Sequence, residues 1–213
     1  KPDSGEILFK GEDINRMNPR QLKMARQRIQ LVFQEPSASL SPRRTVEQTL
    51  LEPLQHFAIG SADQQREKTL QSLQTVGLDQ SALKRYPHQF SSGQQQRIAI
   101  ARALVTSPEL LIADEAVAAL DVSIQAQILQ LIQQLQRDFG ITFLFISHDL
   151  AVIRQIADEV AVMYRGQVLE QSPADWFFSQ PAHVPLDIWE LAGQQVIEGN
   201  PDRVNIARLA GRP

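Results

Sequence analysis

The chain has 213 residues, 43% of them hydrophobic and 21% charged, with a net charge of −3. That is the composition of one ordinary globular domain with a substantial core, and its slightly acidic balance argues against a general nucleic-acid-binding surface. The absence of cysteine excludes disulfides and thiolate metal sites and fits a reducing compartment. No apolar run approaches the roughly 18–20 residues of a membrane helix. The polar first residues are not a signal peptide, so any work at a membrane is expected to go through a partner.

Gly5 to Gly11 reads as a short strand entering a turn, with Glu12, Asp13 and Ile14 continuing it. Asn18-Pro19 then starts a helix, Asn18 as N-cap and Pro19 at the first helical position. Arg28 to Phe33 predicts a buried strand that delivers Gln34. The Ser/Pro-rich stretch Ser37 to Val46 predicts a turn cluster. From Val46 to Ala82 the periodicity is helical, with Leu50, Leu54 and Phe57 on one helix and Leu70, Leu73 and Val76 on the next, which Gly77 ends.

Ser91-Ser92-Gly93-Gln94-Gln95-Gln96-Arg97 opens an amphipathic run from Ile98 to Val105. A Ser/Gly turn before a helix offers free backbone N–H groups and a positive dipole end to an anion. Leu110 to Ala113 is an apolar strand ending in the carboxylates Asp114 and Glu115. A helix with Ile124, Ile128, Leu131 and Leu135 on one face and glutamines as its solvated surface should end near Phe139-Gly140. Thr142 to Ser147 is again an apolar strand, ending in His148-Asp149. Ala151 to Ile156 predicts a helix, and Val160 to Tyr164 with Gln167 to Gln171 a hairpin about Arg165-Gly166. Leu186 to Val196 offers one short helix. Strands with acids and a histidine at their C-terminal ends place them where open α/β sheets bind ligands. Metal-seeking carboxylates, a histidine and an anion-binding helix start together suggest nucleoside triphosphate chemistry.

These stretches resemble the motifs of the ABC-type ATPases. Ser91 to Arg97 is similar to their signature, Leu110 to Glu115 to the Walker B strand, and Ala118-Ala119-Leu120-Asp121 to the loop after it. His148 resembles the switch histidine, and Val32-Phe33-Gln34-Glu35-Pro36 the glutamine loop. Ser37 to Arg43 and Arg85 to Phe90 resemble the branch that imports peptides and nickel. The resemblance implies a RecA-like α/β core with a parallel sheet, an inserted helical subdomain and a small antiparallel β part. It implies an ATPase domain over 1–182, the helical subdomain over about 36–90, and an extension of unassigned role over 183–213.

The roles implied are specific. Asp114 and Gln34 would attend Mg²⁺, Glu115 would polarise the attacking water, and His148 and Gln34 would assist. Ser91, Ser92, Gly93 and Gln94 would clasp the γ-phosphate of ATP held by a second subunit, with Asp121 at the dimer interface. The implied function is an ATP-hydrolysing subunit of an importer. It would be cytoplasmic and peripheral on the plasma membrane, paired head to tail with a second ATPase and docked on permease subunits that a substrate-binding protein serves. The rival expectations are a non-catalytic interaction module or a soluble ABC protein acting on nucleic acid.

The chain departs from the family pattern in three places. Ser92 stands at the first glycine of the signature, where a Cβ is unfavourable if the position needs positive φ or close approach to phosphate and harmless if it only starts a helix. Ala116 replaces the proline usual after the acidic pair, which is expected to hold Glu115 less firmly. No Gly-x-x-x-x-Gly-Lys-Ser/Thr phosphate loop occurs in the 213 residues, and the sequence reads as a domain cut just after that loop and its helix. The resemblance places the missing strand between the strand ending at His148 and that near Val160. Three outcomes are open: direct pairing of those two, a gap filled by the C-terminal segment, or aggregation.

Overall fold

A computed structural model describes residues 2–179, without the side chains of Ser37 and Ala38, and the backbone of 203–209. The chain divides into two compact units, one of 1–30 with 40–109 and one of 31–39 with 110–213. The first opens with the hairpin β1 (Leu8–Phe9) and β2 (Glu12–Asp13), followed by helix α1 (Pro19–Arg28). Strand β3 (Ile29–Val32) and the single turn α2 (Pro36–Ser39) lead through the first segment of the second unit. The first unit resumes with α3 (Val46–Phe57), α4 (Ala62–Thr75) and α5 (Ser92–Leu104). The remainder of the second unit holds β4 (Leu110–Asp114), α6 (Val122–Phe139), β5 (Thr142–Ser147), α7 (Leu150–Ile156), β6 (Glu159–Tyr164), β7 (Gln167–Pro173), α8 (Ala174–Ser179) and β8 (Arg203–Leu209).

In the first unit the glutamines have a defined task. Helices α1, α3, α4 and α5 each begin with a capping box in which Asn18, Thr45, Ser61 or Ser91 pairs with Gln21, Gln48, Gln64 or Gln94 three residues on. Two otherwise orphaned backbone donors are satisfied at each start. Of the predicted stripe, Leu50, Leu54, Leu73 and Val76 are fully enclosed together with Val46 and Ile98, while Phe57 and Leu70 are only half-buried. Glu109 receives Arg28 at 2.6 Å and is also paired with Lys10. The bond from Lys10 comes first, with that from Arg28, in holding this carboxyl below the usual range. The stability it adds is present above the ordinary glutamate range and lost as pH falls through the lowered value.

The second unit is organised on a six-stranded sheet in the order β3-β4-β5-β8-β6-β7. Strands β4 and β5 run parallel, with Asp114 beside Ile146. Strand β8 lies antiparallel to both β5 and β6. Of the three arrangements left open for these neighbours, the structure adopts the one in which the C-terminal segment stands between them. The strand leading to Gln34 is less buried than its sequence suggests: β3 is the sheet's edge, where only Val32 is enclosed while Leu31 and Phe33 are exposed. The Ser/Pro stretch, read as a turn cluster, begins with the helical turn of α2. The short helix expected over 186–196 lies outside the described residues.

Helix α6 buries Ile128, Leu129, Leu131, Ile132 and Leu135, and Gly140 ends it at φ 63° in the left-handed region. A Cβ built at Gly140 meets nothing within 4 Å. Gly140→Ala therefore isolates the backbone cost, and we expect a loss of about 1 kcal/mol in denaturant unfolding. An unchanged midpoint would contradict a left-handed cap at this position.

Candidate nucleotide-hydrolysis site

The chemistry-bearing residues of the second unit sit where its parallel strands end. Strand β4 finishes on Asp114, which is exposed, and the Glu115 N–H still donates to the Ile146 carbonyl at 2.9 Å, extending the ladder by one residue. Strand β5 ends on buried Ser147, and His148 follows it into the open. The His148 Nδ1 lies 3.0 Å from Oε1 of Glu115, with side-chain exposures of 48% and 25%. An ionised carboxylate can only accept, so Nδ1 is the donor in this pair. Glu115 takes a positive φ of 46°.

Asp121 caps α6, accepting from the Ile124 N–H at 3.1 Å and from the Ser123 hydroxyl at 2.8 Å. The Ile124 bond is the main reason its carboxyl is held below the usual range. Asp149 caps α7 in the same manner, accepting from the N–H groups of Ala151 and Val152. Gln34 is exposed just beyond β3. Strand pairing thus brings Glu115 and His148 together, while Asp114 stands one residue before the pair.

The signature stretch belongs to the first unit. Ser91 is the N-cap of α5, accepting from the Gln94 N–H at 3.3 Å, while the Gln94 side chain accepts from the Ser91 N–H at 3.2 Å. Ser92 is the first helical residue and has no positive φ, so its Cβ meets no backbone objection at this helix start. Gly93 is buried one residue later. Sequence reasoning passed over Gln95, whose Nε2 donates to the carbonyls of Pro87 and Phe90 at 3.0 Å each. It thereby fixes the approach to the cap. A glutamine run hid it, because nothing local separates a tethering glutamine from a solvated one.

Mg²⁺ keeps several waters and usually takes one or two protein carboxylates together with phosphate oxygens. Asp114, exposed at a strand end, fits that need. Among the described residues no group of three or more His, Asp or Glu is placed to cage an ion.

A mixed sheet whose parallel strands β4 and β5 end on an acidic pair and a histidine, with a capped Ser/Gly helix start elsewhere in the chain, defines an α/β fold with its chemistry at the strand ends. The family model described as ABC transporter matches residues 1–118, and the chain belongs to that family. It is 50% identical over 184 residues to the oligopeptide transport ATP-binding protein AppF of Bacillus subtilis (strain 168), covering 86% of this chain and 56% of that protein. It is 49% identical to the dipeptide transport ATP-binding protein DppF of Escherichia coli (strain K12), covering 85% and 54%. The chain thus spans about half the length of the curated relatives it matches. Among solved structures, cbiO1 from Clostridium perfringens, part of the complex cbiONQ, aligns with a TM-score of 0.76 at 29% identity over 92% of this chain and 78% of that one. The ATP-binding cassette MJ0796, dimeric and bound to ADP and Pi, aligns with a TM-score of 0.70 at 31% identity, covering 82% and 75%.

Proposed function

We propose that this chain is part of the ATP-hydrolysing subunit of an ABC importer for peptides. The observation that carries the reading is the Glu115–His148 pair at adjacent strand ends beside Asp114. The transport of oligopeptides and dipeptides named for its relatives supports the substrate class. On this reading residues 1–182 form the ATPase domain, with the helical subdomain over about 36–90.

Asp114, with Gln34, attends Mg²⁺, which when bound neutralises phosphate charge and orients the scissile bond. Glu115 accepts a proton from the attacking water. His148 holds that carboxylate through Nδ1. Ser91, Ser92, Gly93 and Gln94 form the helix start that would meet the γ-phosphate of a nucleotide held by a partner ATPase, with the Ser92 and Gly93 N–H groups, which the Ser91–Gln94 capping box does not use, as its backbone donors, and Asp121 stands at the interface between the two. Among the described residues no helix is long and apolar enough to cross a membrane. Attachment to the cytoplasmic face of the membrane would run through permease subunits.

The 213 residues contain no Gly-x-x-x-x-Gly-Lys-Ser/Thr loop, the backbone cradle and lysine that hold the β- and γ-phosphates. We therefore expect these residues by themselves to give no heat of Mg-ATP binding in calorimetric titration at millimolar nucleotide. Micromolar binding would show that the phosphates are held by other groups and would overturn the proposed division of labour.

A further inference from the structure

Five non-glycine residues among those described have positive φ: Lys10, Ala58, Ser107, Glu115 and Arg165. Lys10 and Arg165 each precede a positive-φ glycine in a two-residue hairpin turn, where the turn itself demands that geometry. Ala58 is the left-handed C-cap of α3, and Ser107 lies in the turn before β4. Glu115 alone follows directly on a strand whose ladder it still continues. Its amide is in register and the chain departs at its own N–Cα bond.

The reason lies in the alternation of the strand. Along β4, Leu111 and Ala113 are buried and Asp114 is exposed. An extended Glu115 would place its side chain on the face of Leu111 and Ala113. An unpaired carboxylate there is costly. Rotating to φ 46° takes the side chain off that face, and Oε1 reaches the ring of His148 at 3.0 Å. The conformation is sparsely populated for residues with a Cβ and persists only where the surroundings impose it. The residue after it bears on this, because a proline there would push position 115 toward extended backbone. Position 116 is alanine, 1% exposed, and a residue without a ring on its nitrogen leaves its predecessor free to turn.

We propose that Ala116 is a positioning residue: it leaves Glu115 free to turn left-handed and so sets the Glu115 carboxylate on His148. Its catalytic meaning rests on the reading of Glu115 as the water-polarising base, but the geometry can be tested without turnover.

The test uses the full 213-residue chain and two readouts. The first is a melting series at position 115. Glycine relieves a left-handed backbone whereas alanine does not, so Glu115→Gly should melt about 3 °C or more above Glu115→Ala. In an ordinary strand end the order is reversed. The second is the Nδ1 proton of His148, observed in histidine-labelled protein and assigned among the four histidines with His148→Gln. It should be protected in the parent and in Ala116→Gly. It should be lost in Ala116→Pro, which drives residue 115 to extended geometry, as fully as in Glu115→Ala.

Alanine as stable as glycine at position 115 would overturn the proposal. So would a cooperatively melting Ala116→Pro that keeps the protected proton. If Ala116→Pro does not fold, the order of glycine and alanine decides alone. Neither readout involves ATP, so an assembled importer that hydrolyses nothing defeats the functional reading and leaves this one to the melts and the ring proton.

Discussion

Glu115→Gln is expected to lower the ATPase rate of the assembled importer by about 10² to 10⁴-fold while leaving nucleotide binding nearly unchanged. The substitution keeps the shape of the side chain and an oxygen that can still accept from His148 Nδ1 at the 3.0 Å seen here. What disappears is the negative charge that, in the proposed function, takes a proton from water. The loss should therefore appear in kcat rather than KM, as for an interaction made only in the transition state. Asp114→Asn supplies the contrast. A group that attends the metal and its phosphates acts in the ground state as well, so its loss should weaken Mg-ATP binding together with turnover. Equal effects on KM from both substitutions would mean that Glu115 is a phosphate or metal group rather than the base.

The parts of the fold that the sequence discloses are those with a local cause. Asn18-Pro19 must start a helix because the asparagine caps it and the proline has no N–H to leave orphaned, and both appear in α1. Gly140 and the Arg165-Gly166 turn are legible because positive φ singles out few residue types. The strand ends before Glu115 and His148 are legible because apolar runs stop there on polar groups. Exposure of β3 is not local: Ile29 to Val32 would read the same at the centre of a sheet as at its edge. The helical turn at Pro36–Ser39 was masked because serine and proline begin helices as readily as they form turns. The left-handed Glu115 was legible only as a consequence. A missing proline after the acidic pair suggested freedom, which the structure uses to aim the carboxylate at His148.

The placement of β8 had no local signal. Arg203-Val-Asn-Ile-Ala-Arg-Leu209 carries two arginines and an asparagine, whereas central strands of largely parallel sheets read as nearly continuous apolar runs. Yet it takes five registered partners on β5, from Phe143 to Ser147, and six on β6, from Glu159 to Tyr164. Ending the chain at residue 202 is therefore expected to abolish cooperative unfolding of the second unit. Strands β5 and β6 stand two strand spacings apart, roughly 9–10 Å, too far to pair without moving. Each would expose a row of backbone groups, and every buried donor or acceptor left unmet costs about 1–3 kcal/mol. Phe143, Phe145 and Val160, now enclosed, would border an open edge that invites pairing with other chains. Ile206→Pro should weaken the same strand within the 213-residue chain, because a proline in mid-ladder removes a backbone donor from a strand flanked on both sides. Circular dichroism melts, with light scattering to report association, distinguish the outcomes. A chain ending at 202 that stays monomeric and melts cooperatively at the parent temperature would mean that β8 does not hold β5 and β6 together.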